Sequence, residues 1–420
     1  MLNIVANQVS SSVDWLGLLL LVWLAVVAAI VVWYRRDIVR LWREPVLKLP
    51  VLVLESDDWG AGPLSQASAL DDMAAVLRRF RDSTGRPPVM SLAVVLAVPD
   101  GSAIAVGGGT YRRVCLDEAP LTRVLDALKR GEAEGVFSLQ LHGLEHYWPD
   151  TLMASDDQRV LAWLREASPA STESLQARFQ YRWIDTRCLP SSPHPSAAVE
   201  EAVREEVEAF RRAFGRTPAV VVPPAFAWTP VVERAWSSSG IECVVTPGER
   251  YVRCAADGEL VDDGERFANG DRSNGILYLV RNDYFEPARG RDAEYALRAM
   301  RRASSAGRPC VLENHRVNFC SEPAMRAHSL QELEKLVACA LSLMPKLRFL
   351  SSSDLFHILK VGDPHWIMPR WRDRFPYFWQ RLSHSGRPWK LLRLTGVALL
   401  GGFLLRVAPI QSTELKSHPL

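Results

Sequence analysis

The sequence predicts a parallel α/β fold, and three observations support this prediction. Short apolar runs rich in β-branched residues alternate with segments of helical periodicity along most of the chain. Seven or eight such runs in about 310 residues suit a β/α barrel better than an open sheet with a second domain. Ionisable residues follow several of the runs directly, where the loops of a parallel fold carry function. The predicted strands are VLVLE (51–55), VMSLAVVLA (89–97), VFSLQL (136–141), AVVV (219–222), ECVV (242–245), ILYLV (276–280), PCVLE (309–313) and LRFLS (347–351).

The clearest helix between these runs is predicted over 195–215. Its apolar residues recur every three or four positions, which places them on one face of a helix. Gly215 ends the helix, because glycine tolerates the left-handed conformation of a helix C-terminus. A second apolar stripe predicts a helix over 330–344. The residues of the first stripe are Val199, Val203, Val207, Phe210 and Phe214.

Composition indicates a folded protein with reduced cysteines. The chain has 420 residues and 48% hydrophobic residues, enough for a large core, so a disordered protein is excluded. Its 50 Lys and Arg nearly balance 48 Asp and Glu, and this balance argues against a nucleic-acid partner. The seven cysteines contain no CxxC pair, so we expect free thiols rather than a zinc ribbon or disulfide framework.

An N-terminal transmembrane helix is predicted within the first domain, residues 1–45. Residues 15–34 carry no charge and have aromatic residues at both ends, as membrane-spanning helices do. A buried core helix is the alternative, but such helices are seldom apolar on every side over this length. Four arginines follow the segment and no Lys or Arg precedes it, so the positive-inside rule predicts that the body of the protein is cytoplasmic and anchored to the membrane. These arginines are Arg35, Arg36, Arg40 and Arg43.

The last predicted domain, residues 361–420, has a different character from the rest. It is rich in Trp and Arg and contains LTGVALLGGFLL, twelve uncharged residues between Arg393 and Arg406. Twelve residues are too few to span a bilayer, so we expect a tail that lies at the membrane interface. A short packed helix is the alternative.

Three sets of ionisable residues stand at predicted strand ends. Asp57 and Asp58 follow the first strand, His142 and His146 follow the third, and His315 follows the seventh. Two histidines four positions apart on a helical turn can reach one metal ion, and one aspartate would complete a three-ligand site with open positions. Such open sites are typical of hydrolytic rather than structural metal centres.

In these motifs the chain resembles the NodB-like polysaccharide deacetylases of carbohydrate esterase family four. SDDWG matches the family's paired-aspartate motif, and HGLEH matches its two-histidine motif. FRRAFGRTPAVVVPPAFAW, ENHR and LRFLSSSDLFHIL resemble the later motifs in the same order. The resemblance implies a (β/α)7-type distorted barrel over residues 46–360, which follows the N-terminal transmembrane helix.

The resemblance also implies a role for each motif residue. Asp58, His142 and His146 would bind a divalent metal, most simply Zn²⁺. Asp57 would be the general base that takes a proton from the attacking water, and His315 would protonate the departing amine. The implied substrate is an acetylated, or otherwise acylated, amino sugar of a glycan. The membrane anchor extends this expectation to a lipid-linked glycan.

Three positions depart from the family pattern. The arginine that holds the base is replaced by Val222, and no aspartate that tunes the acid histidine is evident in 246–250. The last motif has Glu313 where the family usually has leucine. Charged residues beside the motifs are candidates to replace the missing partners: Glu55, Glu145, Glu313 and Arg316.

Other interpretations remain open for the individual residues. The two aspartates are also common in a solvated turn or a helix cap, and His315 could be a core histidine bonded to a carbonyl. Trp148, Phe226 and Trp228 lie beside the motifs, where aromatic rings either stack on sugars or simply pack.

Two rival functions follow from the same sequence. A hydrolase that cleaves a different sugar bond is compatible with the barrel and its carboxylates. A catalytically inactive barrel that binds glycan or scaffolds a membrane assembly is motivated by the missing arginine and aspartate.

Overall fold

The computed structural model describes residues 2–107, 110–168 and 171–407, with side chains described only between 15 and 402. The chain divides into two compact units. One unit is Leu47–Ile367, and the other joins the two ends of the chain, up to Val46 and from Met368.

The described strands and helices are numbered here in chain order. The strands are β1 (Val51–Gly60), β2 (Met90–Val95), β3 (Ala97–Pro99), β4 (Arg113–Cys115), β5 (Phe137–Leu141), β6 (Ile184–Asp185), β7 (Ser192–Pro193), β8 (Val220–Val221), β9 (Cys243–Thr246), β10 (Tyr251–Cys254), β11 (Leu260–Asp262), β12 (Arg272–Ser273), β13 (Ile276–Val280), β14 (Asp283–Tyr284), β15 (Cys310–His315) and β16 (Arg348–Phe349). The helices are α1 (Leu2–Trp33), α2 (Arg35–Arg43), α3 (Gln66–Leu77), α4 (Gly101–Val106), α5 (Thr122–Ala133), α6 (Pro149–Met153), α7 (Gln158–Leu164), α8 (Ser196–Phe214), α9 (Pro230–Ser238), α10 (Ala293–Ser305), α11 (Val317–Cys320), α12 (Pro323–Leu343), α13 (Ser352–Val361), α14 (Trp371–Ser383), α15 (Arg387–Leu394) and α16 (Val397–Val407).

The predicted strands and helices of the central unit are confirmed, with shifted ends. Each of the eight predicted runs contains a strand, and β1 continues five residues further than predicted, to Gly60. The first predicted helix is α8, which ends at Gly215 with φ 73°. The second lies within α12. All seven cysteines are free, as expected.

The main sheet is curled but its ladder does not close within the described residues. The strand order is β12-β13-β9-β8-β5-β2-β1-β15-β14, and every pairing is parallel except β12 with β13. β16 pairs with β1. The turn 281–282 crosses the gap between the sheet's ends, because Arg281 donates its backbone N–H to Thr246 and Asn282 donates to Val311. A closed barrel is therefore replaced by a curled half-barrel.

Alternate residues of β1 face two different apolar clusters. Leu52 and Leu54 pack with α3, α5 and α12 in the larger cluster, whereas Val51 and Val53 pack with Val311 in the second. Because side chains alternate along a strand, Glu55 continues the face of Val51 and Val53. The inner face of β1 therefore changes from apolar to acidic as the strand approaches its C-terminal end.

The unit formed by the chain's two ends is helical. α1 contains one stretch, Trp15–Trp33, that is long and apolar enough to cross a membrane by length and composition; its mean hydropathy is 2.9 and none of it is buried. Within this unit α2 packs on α14, and α15 packs on α1, α14 and α16. Arg381 of α14 donates to the backbone carbonyls of Glu44 and Pro45, which fixes the end of α2 to α14.

Candidate metal centre

Asp58, His142 and His146 form a buried cluster at the C-terminal edge of the sheet. One ligand atom from each residue lies within 4.8 Å of the others. The Nε2 atoms of both histidines are 3.4 Å from Oδ1 of Asp58. These three predicted metal ligands are therefore brought together, although they come from two separate strands of the sheet.

A β-bulge explains how two adjacent aspartates can serve one site. The β1–β2 register runs from Ser56 opposite Leu92 to Trp59 opposite Val94, so Asp57 and Asp58 together oppose one residue of β2. Asp58 has a φ of 73°, a left-handed conformation that is uncommon outside glycine. A regular strand would point successive side chains to opposite faces. The bulge instead lets both carboxylates serve the same end of the sheet.

The two histidines do not lie on a helical turn. Residues 142–148 form an irregular loop after β5, with Gly143 at φ 98°. The loop is tied to β2 and to the residue after it, because His142 donates its backbone N–H to the carbonyl of Val94 and Leu96 donates to the carbonyls of Gly143 and Leu144. Glu206 of α8 also accepts from the backbone N–H of Leu144, at 3.3 Å. The tertiary contacts of this loop, rather than helical geometry, place the imidazole rings 4.9 Å apart.

The donor atoms of the cluster suit a cation. The carbonyl of Val222 lies 2.7 Å from Nδ1 of His142, so Nδ1 donates a proton to it and Nε2 is the ring nitrogen that faces Asp58. Burial lowers the pKa of His142, but the hydrogen bond and negative charge of Asp58 raise this pKa above its usual value. Burial lowers the pKa of His146 to about 4, which leaves that imidazole neutral near pH 7. Two imidazole nitrogens and one carboxylate oxygen form a common zinc ligand set. The described residues therefore fit a divalent metal.

Asp57 has a different partner from Asp58. The guanidinium of Arg281 donates two hydrogen bonds to its carboxylate, each 2.6 Å long. Burial raises the pKa of Asp57, but the charge and hydrogen bonds of Arg281 outweigh burial and hold this pKa below its usual value. Asp57 is therefore a fixed, ionised carboxylate beside the metal-ligand cluster.

Arg281 is itself held by buried acidic residues from two neighbouring strands. Its Nε donates to Glu55, which also accepts from Ser352. Oε2 of Glu313 lies 3.6 Å from Nη1 of Arg281. Glu55 and Glu313 are opposite each other in the β1–β15 register, and the next inward pair along these strands is Asp57 and His315. Arg281 therefore connects the two acidic residues with Asp57.

His315, the register partner of Asp57 on β15, is paired with a buried carboxylate. Its Nδ1 donates to Oε1 of Glu286 at 2.5 Å, and Glu286 also accepts from the amide of Asn318. Burial lowers the pKa of His315, but the hydrogen bond to Glu286 and the nearby aspartates raise this pKa to about 9. The imidazole is therefore protonated near pH 7, and its Nε2 lies 3.8 Å from Oε1 of Glu313.

Sequence reasoning missed Arg281 and Glu286. Arg281 binds Asp57 and Glu286 binds His315. In the resembled family these two contacts are made by an arginine and an aspartate, which are absent here at Val222 and in 246–250. Neither belongs to a motif, and the only sequence signal is that Arg281 follows the strand β13 directly. The four candidate replacements divide: Glu55 and Glu313 contact Arg281, whereas Glu145 pairs with Arg113 and Arg182, and Arg316 pairs with Glu173.

The three aromatic candidates have different surroundings. Trp228 is fully buried and donates to Glu233, so it packs in the core. Trp148 stacks on His194 with ring centroids 3.8 Å apart. Phe226 is partly exposed, lies over the guanidinium of Arg281 at 5.4 Å, and has a φ of 52°. Only Phe226 covers a residue of the site.

Comparisons with known proteins give carbohydrate-active enzymes of two kinds. Residues 171–284 match the family model of glycosyl hydrolase family 57. No curated protein matches the chain. Similar solved structures include a peptidoglycan deacetylase from Bacillus subtilis, with 9% identity over 76% of this chain and 94% of that chain and a TM-score of 0.35. A family 4 carbohydrate esterase from Streptomyces lividans has 9% identity over 72% and 92%, with a TM-score of 0.33.

A third similar structure belongs to the second kind of enzyme. The 4-alpha-glucanotransferase from Thermococcus litoralis has 10% identity over 82% of this chain and 49% of that chain, with a TM-score of 0.39. Identities and TM-scores this low do not transfer an activity, and the family model matches a minor part of the chain. The side-chain geometry of the site is therefore the basis on which a function can be argued.

Proposed function

We propose that this chain is a metal-dependent hydrolase that removes an acyl group from an amino sugar of a glycan. The observation that carries the proposal is that two adjacent aspartates have different partners. Asp58 lies with His142 and His146, whereas Asp57 is bound by Arg281. A hydrolytic centre of this type needs one carboxylate as a ligand and a second that stays free to accept a proton.

Asp58, His142 and His146 would hold the divalent cation, for which Zn²⁺ suits two nitrogen donors and one oxygen donor. When bound, such a cation polarises a carbonyl and makes a nearby water more acidic. Asp57, ionised and fixed by Arg281, would accept a proton from the attacking water. His315, protonated through its pairing with Glu286, would donate the proton on Nε2 to the departing amine nitrogen.

Arg281 and Glu286 weaken the case for an inactive barrel. That rival was motivated by the missing arginine and aspartate of the resembled family. Residues from other strands occupy these roles, because Arg281 binds the proposed base and Glu286 binds the proposed acid. A site that only binds glycan has no need for an oriented carboxylate and a charged imidazole, which here are opposite each other on the neighbouring strands β1 and β15.

A second candidate function is glycoside hydrolysis, which two observations favour. The family 57 match is one of them. The other is the pair Asp57 and Glu313: the pKa of Asp57 is lowered, while burial, against the opposing charge of Arg281, raises that of Glu313. Glycosidases use one ionised and one protonated carboxyl group. In this reaction Glu313 would protonate the leaving sugar oxygen, and the Asp58 cluster would not be required.

Metal analysis together with product analysis separates the two candidates. We expect purified protein to contain stoichiometric zinc or a similar divalent metal, and to release acetate from N-acetylated glycans. Asp58→Asn and His142→Ala would lose both properties, while the exposed His328→Ala would keep both and serve as the matched control. Protein without bound metal that releases new reducing ends would support glycoside hydrolysis instead and refute the deacylase proposal.

We further propose that the enzyme is anchored by α1 with its catalytic domain in the cytoplasm, where a lipid-linked glycan would be its substrate. The apolar stretch Trp15–Trp33 and the four arginines that follow it support this proposal. Rates on a lipid-linked and a water-soluble acylated glycan with the same sugar test it, with the full-length protein in vesicles. Equal rates on both would argue against a lipid-linked substrate without affecting the proposed chemistry.

A further inference from the structure

The apolar helix α1 carries a hydrogen bond to the C-terminal part of the chain. Trp23 lies near the middle of the stretch Trp15–Trp33, and its indole N–H donates to the backbone carbonyl of Thr395 at 2.7 Å. An indole N–H in hydrocarbon needs such a partner. Thr395 lies between α15 and α16. The bond therefore places the junction of these two helices against the apolar middle of α1.

The junction is surrounded by exposed leucines. Leu394 is 83% exposed, Leu399 is 79% exposed and Leu400 is 56% exposed. Three leucines around one turn form an exposed apolar tip that water does not favour. The adjacent α1 is also unburied over its whole apolar stretch. The interior of a bilayer, which would surround the apolar stretch of α1, would therefore also cover this tip.

The distance from a pair of tryptophans to the tip gives the depth to which the tip would enter the bilayer. Trp379 of α14 and Trp389 of α15 contact each other edge to face, with ring centroids 5.5 Å apart. A side chain on Gly401 of α16 would collide with the ring of Trp379, so α16 packs closely against this pair. Thr395 lies six residues beyond Trp389, or about 9 Å along a helix. Interfacial helices bury their apolar faces to a similar depth, with tryptophans at the headgroup level.

Basic residues accompany the apolar tip. Arg387, Lys390 and Arg393 of α15 are exposed and are spaced by three, so they form one stripe. The ranges 35–46 and 368–402 together contain eleven Lys or Arg and three Asp or Glu. Long basic side chains can extend from an apolar surface to the headgroups. Clusters of this kind next to a transmembrane helix bind anionic lipids.

We propose that α15 and α16 form a lipid-binding hairpin, which inserts its leucine tip into the bilayer beside α1 and binds anionic headgroups through Arg387, Lys390 and Arg393. The hydrogen bond between Trp23 and Thr395 holds the hairpin to α1 inside the apolar region. The occupant of the exposed surface is thus an anionic bilayer rather than a second protein. The hairpin has no part in the proposed hydrolysis, so its test is independent of metal and turnover.

The depth of the tip is measured with a fluorescent label at position 399. Full-length protein with Cys188→Ser and Leu399→Cys is labelled with a nitrobenzoxadiazole probe and placed in vesicles of phosphatidylcholine with phosphatidylglycerol. A Cys188→Ser sample gives the background, and the exposed native Cys188 carries the label as an aqueous control. We expect brominated acyl chains to quench the probe at 399 and aqueous iodide to quench it severalfold less than the probe at Cys188. Equal iodide quenching at both positions would overturn the insertion.

Two further comparisons test the hydrogen bond and the charge. Trp23→Phe removes the indole N–H and is expected to raise iodide quenching at 399, whereas Trp33→Phe, which changes an exposed tryptophan of the same helix, is expected to leave it unchanged. The triple change Arg387→Gln, Lys390→Gln and Arg393→Gln should make the probe at 399 as accessible to iodide in anionic vesicles as it is in neutral phosphatidylcholine. Equal protection of the unchanged protein in both lipids would refute the binding of anionic headgroups.

Discussion

The metal-ligand cluster and the residues that support the proposed base and acid were assembled in different ways. Asp58, His142 and His146 belong to two short motifs, one in the last residues of β1 and one directly after β5. Arg281 and Glu286 belong to no motif and reach Asp57 and His315 from the turn after β13 and from the segment after β14. The ligands are constrained by spacing within a motif, whereas the supporting charges are constrained only by location in the fold.

In the proposed site, the metal ligands and the supporting charges are therefore under different constraints. A metal ion fixes the distances among its ligands, so the ligand residues keep a recognisable spacing. A guanidinium or carboxylate that supports another side chain needs only to arrive at the same edge of the sheet with the right charge. Val222 carries no positive charge, but Arg281, in the turn after β13, supplies one to Asp57.

The largest effect is expected at the metal-ligand cluster. His142→Ala removes one nitrogen donor, so we expect loss of bound metal and a fall in kcat/KM of at least about 1,000-fold. Metal content by mass spectrometry and acetate release measure these two effects. A variant that retains full activity after losing its metal would show that the cluster does not serve the reaction.

A smaller effect is expected at Arg281, with the metal retained. Arg281→Gln would leave Asp57 without its bidentate partner, and we expect kcat to fall by about 100-fold while the metal content stays unchanged. Arg250→Gln is the matched control, because Arg250 forms a buried ion pair with Glu233 away from the metal-ligand cluster. A similar loss of kcat in both variants would mean that Arg281 serves stability alone.

Glu286 should control the alkaline limb of the pH profile. The pKa of His315 is raised to about 9, so the protonated acid persists up to that pH and activity falls above it. Glu286→Gln removes the charge that favours the imidazolium, and the alkaline limb is then expected to move to lower pH, with about a tenfold loss at pH 8. Asp283→Asn, a nearby carboxylate paired with Arg302, should leave the limb in place. If the alkaline limb does not move in Glu286→Gln, His315 is not the residue that donates the proton.

The smallest effect is expected at Glu55. Glu55→Gln keeps a hydrogen-bond acceptor for Arg281 but removes a charge, while the two bonds from Arg281 to Asp57 remain. We expect a decrease of severalfold in kcat with little change in KM, and a lower unfolding temperature because Arg281 loses a buried partner. Ser352→Ala, which removes one donor to Glu55, is the milder comparison. A fall in kcat in Glu55→Gln as large as that in Arg281→Gln would mean that Glu55 does more in the reaction than hold Arg281.

The stretch SDDWG illustrates how far sequence reasoning reached. The separate roles of Asp57 and Asp58 were predicted from the motif, and the structure gives them separate partners. The β-bulge that brings both side chains to one site was not predicted, because a bulge depends on how β1 pairs with β2. For the same reason the sequence did not reveal that His142 and His146 lie on an irregular loop, whose backbone is bonded to β2 and α8.

The sequence by itself determined the alternation of strands and helices, the candidate ligands and the apolar stretch of α1. These features depend on side-chain periodicity and on short spacings, which are local properties of the chain. Only the tertiary structure decided that the sheet stays open within the described residues, that Arg281 binds Asp57 and Glu286 binds His315, and that Trp23 bonds Thr395. Each of these contacts joins residues far apart in sequence, and their positions become known only when the strands and helices are packed.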